Sequence, residues 1–151
     1  MHKPSRRATT AGALAVLALG GTLAATTPAS AATRPTAAAR PAAASATYNG
    51  ACGTGYKVIG STPVGNSGKV FITWNQSTGK NCAVTIRNTA GARIYMSVEL
   101  KADLGHETTP VRDQGQYTSY AGPVYVAARG HCIEWRGVIG NASGGDSGHC
   151  G

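Results

Sequence analysis

Strict alternation of apolar and polar side chains across residues 56–139 is the feature that most limits what this chain can become. Ile94, Met96, Val98 and Leu100 fall on one side of an extended segment, and Tyr95, Ser97, Glu99 and Lys101 on the other. Successive side chains of a strand point to opposite faces, so the pattern reads as a half-buried strand. Val70, Ile72 and Trp74 repeat it, as do Cys82, Val84 and Ile86, then Val124 and Val126, then Ile133 and Trp135 set against Glu134 and Arg136. Asn66-Ser67-Gly68, Ser77-Thr78-Gly79 and Asn88-Thr89-Ala90-Gly91 supply turn residues between the runs. No helical period fits as well. The expected fold is all-β, a small antiparallel sandwich or barrel of about seven short strands.

The N-terminus carries an export signal. Lys3, Arg6 and Arg7 make its start basic, Ala11 to Ala25 is apolar, and Ala29-Ser30-Ala31 offers small residues for a peptidase. Residues 1–31 are therefore read as a signal peptide cleaved before Ala32. The apolar stretch is short for a bilayer and runs into Thr and Pro, so no membrane span is expected. Ser5-Arg6-Arg7 lacks the apolar residues that follow a twin-arginine motif, and general secretory export is the reading adopted. Residues 32–47 contain Ala, Pro, Thr, Ser and two Arg, with no large apolar side chain to bury. They read as a disordered linker or pro-segment, which leaves residues 48–151 as the folded β domain.

Charge must be judged after export. The formal +8 of the whole chain includes three basic residues of the signal; from Tyr48 onward nine basic residues face six acidic ones. No basic run marks a nucleic-acid groove, and secretion removes a genomic partner. What remains suits weak attraction to anionic wall polymers.

A domain this small gains from covalent staples, and export places its four cysteines in an oxidising compartment. If the first three strands run up, down and up, the start of the first lies beside the start of the third. That brings Cys52 to Cys82 and leaves Cys132 for Cys150. Each bridge would contribute about 3–4 kcal/mol by loop-closure entropy.

Several motifs suggest chemistry and are outweighed. Gly145-Asp146-Ser147-Gly148 copies the nucleophile loop of chymotrypsin-like proteases, and His131-Cys132 resembles their histidine motif. Here, however, histidine and serine are only sixteen residues apart and no chain remains to complete a substrate pocket. Gly144 to Gly148 reads more simply as a flexible polar turn. Gly130-His131-Cys132 and Gly148-His149-Cys150 look like a metal set, yet His131 and Cys132 point to opposite faces of a strand and the cysteines serve disulfides better. No metal or other cofactor is expected, and His106, His131 and His149 read as exposed. Glu99 and Glu134 could form a hydrolase's carboxylate pair. They read more simply as strand-exterior charges beside Lys101 and Arg136.

The aromatic residues are more informative. Trp74 and Trp135 fall on apolar faces and are assigned to the core. Tyr95 and Tyr125 fall on the opposite faces, with Tyr117 and Tyr120 near them in the chain. Exposed rings stack on sugar faces, so these four tyrosines are the candidate contact for a polysaccharide. Cross-strand pairing, which tyrosine favours, is the competing explanation.

Four separated segments also carry a resemblance. They are Tyr48-Asn49-Gly50-Ala51-Cys52-Gly53 with Gly55-Tyr56-Lys57-Val58-Ile59, Ser77 to Thr85, Tyr120 to Val126, and Cys132-Ile133-Glu134-Trp135 with the closing His149-Cys150-Gly151. Together they resemble the small secreted spore-associated proteins of actinomycetes. The resemblance implies secretion and association with spores or the cell surface, and brings no catalytic residues.

The function expected is that of a secreted, non-catalytic protein of the spore or cell envelope, with a wall polymer as its partner. An extracellular protease inhibitor is the alternative, presenting Thr108-Thr109-Pro110-Val111-Arg112 as a rigid loop. A small hydrolase using Glu99 or Glu134 is the third.

Overall fold

The computed structural model describes residues 44–151. The expected signal peptide and residues 32–43 of the spacer lie outside them. The described residues form eight antiparallel strands: β1 (Lys57–Val64), β2 (Gly68–Asn75), β3 (Lys80–Arg87), β4 (Ile94–Ala102), β5 (Val111–Tyr117), β6 (Tyr120–Ala127), β7 (Ile133–Ile139) and β8 (Ala142–Gly148). One sheet has the order β1-β2-β3-β6 and the other β5-β4-β7-β8. The fold is all-β, and the arrangement is a sandwich rather than a barrel.

The alternation places the core as expected. Val70 and Ile72 of β2, Ala83 of β3 and Val124 of β6 face Met96, Val98 and Leu100 of β4 and Ile133, Trp135 and Ile139 of β7. The Trp135 indole N–H donates to Thr62 Oγ1 of β1 at 2.9 Å, so the largest core side chain also satisfies its polar atom across the sheets. Trp74, assigned to the core with it, is only half-buried. It ends the inward row of β2 at the rim of the sandwich, where its ring meets solvent and Arg129.

The outer face of the first sheet is covered as well. Phe71, Val84 and Ile86 point away from the central core and pack against Ala46, Tyr48 and Ala51. The segment before β1 thus lies as a strap across β2 and β3, and Asn81 to Ile86 is buried along its whole length. The Ala46 amide donates to Asn88 Oδ1 at 2.8 Å. Cys52 is bonded to Cys82, which fastens the strap to β3, and Cys132 is bonded to Cys150. Both pairings match the meander argument.

The eighth strand corrects the sequence reading, which made Gly144 to Gly148 a flexible turn. β8 pairs with β7 from Ala142↔Ile139 to Gly148↔Ile133. Its glycines serve close approach. A Cβ at Gly144 would run into the Pro63 carbonyl oxygen, and one at Gly145 would lie 2.5 Å from the Trp135 carbonyl oxygen. β8 therefore closes the sandwich beside β1 only because it lacks side chains there. A strand built this way has no apolar alternation to detect.

Candidate functional site

β5 and β6 are edge strands of opposite sheets, joined by Thr118 and Ser119. That short connection is clamped by Arg87, whose Nη1 donates to the carbonyl oxygens of Thr118 and Ala92, each at 2.9 Å. Along this open side of the sandwich runs a groove of about 780 Å³, lined among others by Arg112, Asp113, Tyr117, Tyr120, Pro123 and Tyr125.

Asp113 holds its two walls together. The Tyr117 hydroxyl donates to Oδ1 of Asp113 at 2.7 Å, and the Gly122 amide on β6 donates to Oδ2 at 2.6 Å. The bond to the Asp113 carboxylate keeps the Tyr117 phenol protonated above its ordinary range, with partial burial adding to the effect. Arg112, beside it on β5, pairs with Glu99 at 3.0 Å. The groove thus carries a charged lip, a tied carboxylate and three aromatic rings.

The four candidate tyrosines are divided. Tyr120 and Tyr125 are exposed at 39% and 38%, and both line the groove with the half-buried Tyr117. Tyr125 packs edge-on against Tyr56, with centroids 5.5 Å apart, and its hydroxyl donates to the Cys52 carbonyl at 3.2 Å. A third of its surface still meets solvent, yet the packed part of the ring is dry enough to push its phenol pKa up. Tyr95 stands elsewhere. It is 42% exposed on the second sheet, where its hydroxyl donates to Gln114 Oε1 at 3.3 Å. Its outward orientation was legible from alternation; its separation from the other three required the strand order.

The outer face of the second sheet is a charge lattice. Glu99 lies opposite Arg136, and Lys101 opposite Glu134. Lys101 Nζ is 2.8 Å from Glu134, and that contact holds the ammonium pKa above its ordinary value. Both carboxylates considered for hydrolysis are therefore engaged by cations on an open surface.

Ser147 pairs opposite Glu134 on β8, and its amide donates to Asp146 Oδ1 at 2.8 Å. Among the described residues no histidine hydrogen-bonds to it. Cys132 and Cys150, half of the suspected metal set, are bonded to each other. His106, His131 and His149 are exposed, although His149 also packs on Trp135 with centroids 5.4 Å apart. The proposed inhibitory loop is shorter than expected, because Val111 and Arg112 belong to β5 and pair with Leu100 and Glu99. Thr108 is tied back through its hydroxyl, which donates to the Ala102 carbonyl at 2.7 Å.

Asp113 escaped the sequence reading, which placed Arg112 in the inhibitory loop and Pro123 within a resemblance segment, neither as a groove residue. Nothing in Val111-Arg112-Asp113-Gln114 distinguishes a carboxylate that bridges two sheets from one that faces water.

No family model matches the chain, and no solved structure matches it. Among curated proteins, Spore-associated protein A of Streptomyces coelicolor is 50% identical over 132 residues, covering 84% of this chain and 77% of that protein.

Proposed function

We propose, for a chain that belongs to the spore-associated protein A family, a secreted and non-catalytic role at the spore or cell envelope, holding a wall glycan in the β5–β6 groove. The observation that carries this reading is the convergence of Tyr117, Tyr120 and Tyr125 with Arg112 along one open groove. Aromatic rings offer flat apolar faces to sugar rings, and a charged lip supplies hydrogen bonds to hydroxyls. An open trough suits an extended polymer better than a small enclosed ligand. The four cysteines, all paired, are consistent with a protein that works outside the cell. Ion pairing of Glu99 and Glu134 supports a non-catalytic reading over hydrolysis.

The test is co-sedimentation of the oxidised protein with purified spore walls, hyphal walls and chitin across a salt series. Saturable binding that survives salt and falls in Tyr120→Ala and Tyr125→Ala is expected, with Tyr95→Ala near wild type. Binding that disappears at modest salt would reduce the association to charge attraction and refute the aromatic groove.

A further inference from the structure

A second concavity, of about 360 Å³, opens just past the last residue of β6 and is lined by Ile59, Trp74, Asn81, Ala128, Arg129 and His149, among others. Its walls are set before any ligand arrives. The Trp74 indole N–H donates to Gln76 Oε1 at 2.8 Å, which fixes the ring. The Arg129 guanidinium lies 5.5 Å from the Trp74 ring centroid, and its Nη2 donates to the Gln76 carbonyl at 2.5 Å. Arg129 also lies over Gly79, which has φ of +66° and whose Cβ, if present, would come 2.8 Å from Nε.

Arg129 is thus oriented by a stack, a hydrogen bond and a missing side chain. Among the described residues no carboxylate pairs with it; the salt bridges there are Lys101–Glu134 and Arg112–Glu99. A guanidinium has five N–H donors in a planar fork, so most of this fork is open to a ligand. Beside it stand the half-buried Trp74 and Ile59, the latter 38% exposed at a bulge in β1.

A preset cation next to flat apolar walls selects an anion with an apolar face. We propose that this pocket binds a carboxylate-bearing sugar ring, with the carboxylate on Arg129 and the ring face against Trp74 and Ile59. The exposed His149 supplies a polar group for ring hydroxyls, which a purely aromatic acid would leave unpaired. The proposal rests on the glycan reading above for the class of ring, and does not rest on the tyrosine groove.

Calorimetric titration of the oxidised protein with the dimer of galacturonic acid tests it, alongside the methyl-esterified dimer and benzoate. The free acid should bind saturably and about tenfold or more tighter than the ester, the fold-change expected of one charge-assisted contact. Arg129→Gln should abolish this preference, Arg129→Lys should retain part of it, and the Tyr120→Ala/Tyr125→Ala double variant should keep it whole. Equal affinity for acid and ester, wild-type binding by Arg129→Gln, or no saturation at millimolar ligand would each overturn the site. Tighter binding of benzoate than of the uronate would overturn the sugar assignment. Uronate binding that survives in the tyrosine double variant while wall co-sedimentation fails would sink the groove and leave this pocket standing.

Discussion

Asp113 of β5 accepts the amide hydrogen of Gly122 of β6 at 2.6 Å, so one carboxylate joins the edges of two different sheets. Its other oxygen takes the Tyr117 hydroxyl, which makes the groove wall and the sandwich edge a single hydrogen-bonded unit. Asp113→Ala leaves a backbone amide and a phenol without their acceptor. It should cost about 1.5–3 kcal/mol, the range for hydrogen bonds to charged groups. Urea unfolding read by far-UV circular dichroism checks this, and a midpoint equal to wild type would remove the bridge from the account.

Two phenols tie stability to alkaline pH. Tyr117 and Tyr125 both have phenol pKa values raised by the fold. Their contribution is complete below the ordinary phenol value of about 10 and is lost as pH rises through the higher folded values. Melting temperature should therefore hold to about pH 9.5 and then fall, more shallowly in Tyr117→Phe. A fall of equal steepness in that variant would assign the alkaline limb to other groups.

Thr85 presents a case where a substitution should help. Its side chain is fully buried and its hydroxyl has no partner among the described residues. Thr85→Val keeps the shape and removes the unsatisfied oxygen, which should raise stability by about 1 kcal/mol. Differential scanning calorimetry reads the gain. A loss instead would mean that the hydroxyl is hydrogen-bonded through a water.

The two disulfides should differ in accessibility. Cys52 and Cys82 are 4% and 0% exposed, whereas Cys132 is half-buried and Cys150 exposed. Mild reductant under native conditions should open Cys132–Cys150 first and spare Cys52–Cys82 until the chain unfolds. Timed alkylation with peptide mapping follows the order, and simultaneous labelling of all four cysteines would contradict it. Replacing Cys52 and Cys82 by Ser should be the costlier change, about 3–4 kcal/mol from loop entropy with exposure of the apolar sheet face beneath the strap in addition.

What the sequence made legible was whatever depends on a period of two. The strands carrying Val70–Trp74, Cys82–Ile86 and Ile94–Leu100 follow directly from alternation, and the meander of the first two with the strand before them was enough to pair Cys52 with Cys82. β8 was invisible because its fitness for the sheet lies in glycines that admit a neighbouring backbone, a property with no hydrophobic signature. The candidate site was half legible. Outward-facing Tyr95 and Tyr125 follow from the pattern, but the order β1-β2-β3-β6 against β5-β4-β7-β8 decides which rings share a groove. The Trp74–Arg129 stack joins a residue of β2 to one in the β6–β7 connection, so only the fold brings it together.

The strap over Phe71, Val84 and Ile86 would resist trimming from its upstream side. Ala46 is 7% exposed and its amide is held by Asn88, which makes it the first buried residue among those described. Trimming to that residue leaves the apolar sheet face capped, whereas removal through Tyr48 strips its cover. Aminopeptidase digestion of the purified protein should therefore slow at Ala46, which intact-mass spectrometry of the products displays directly.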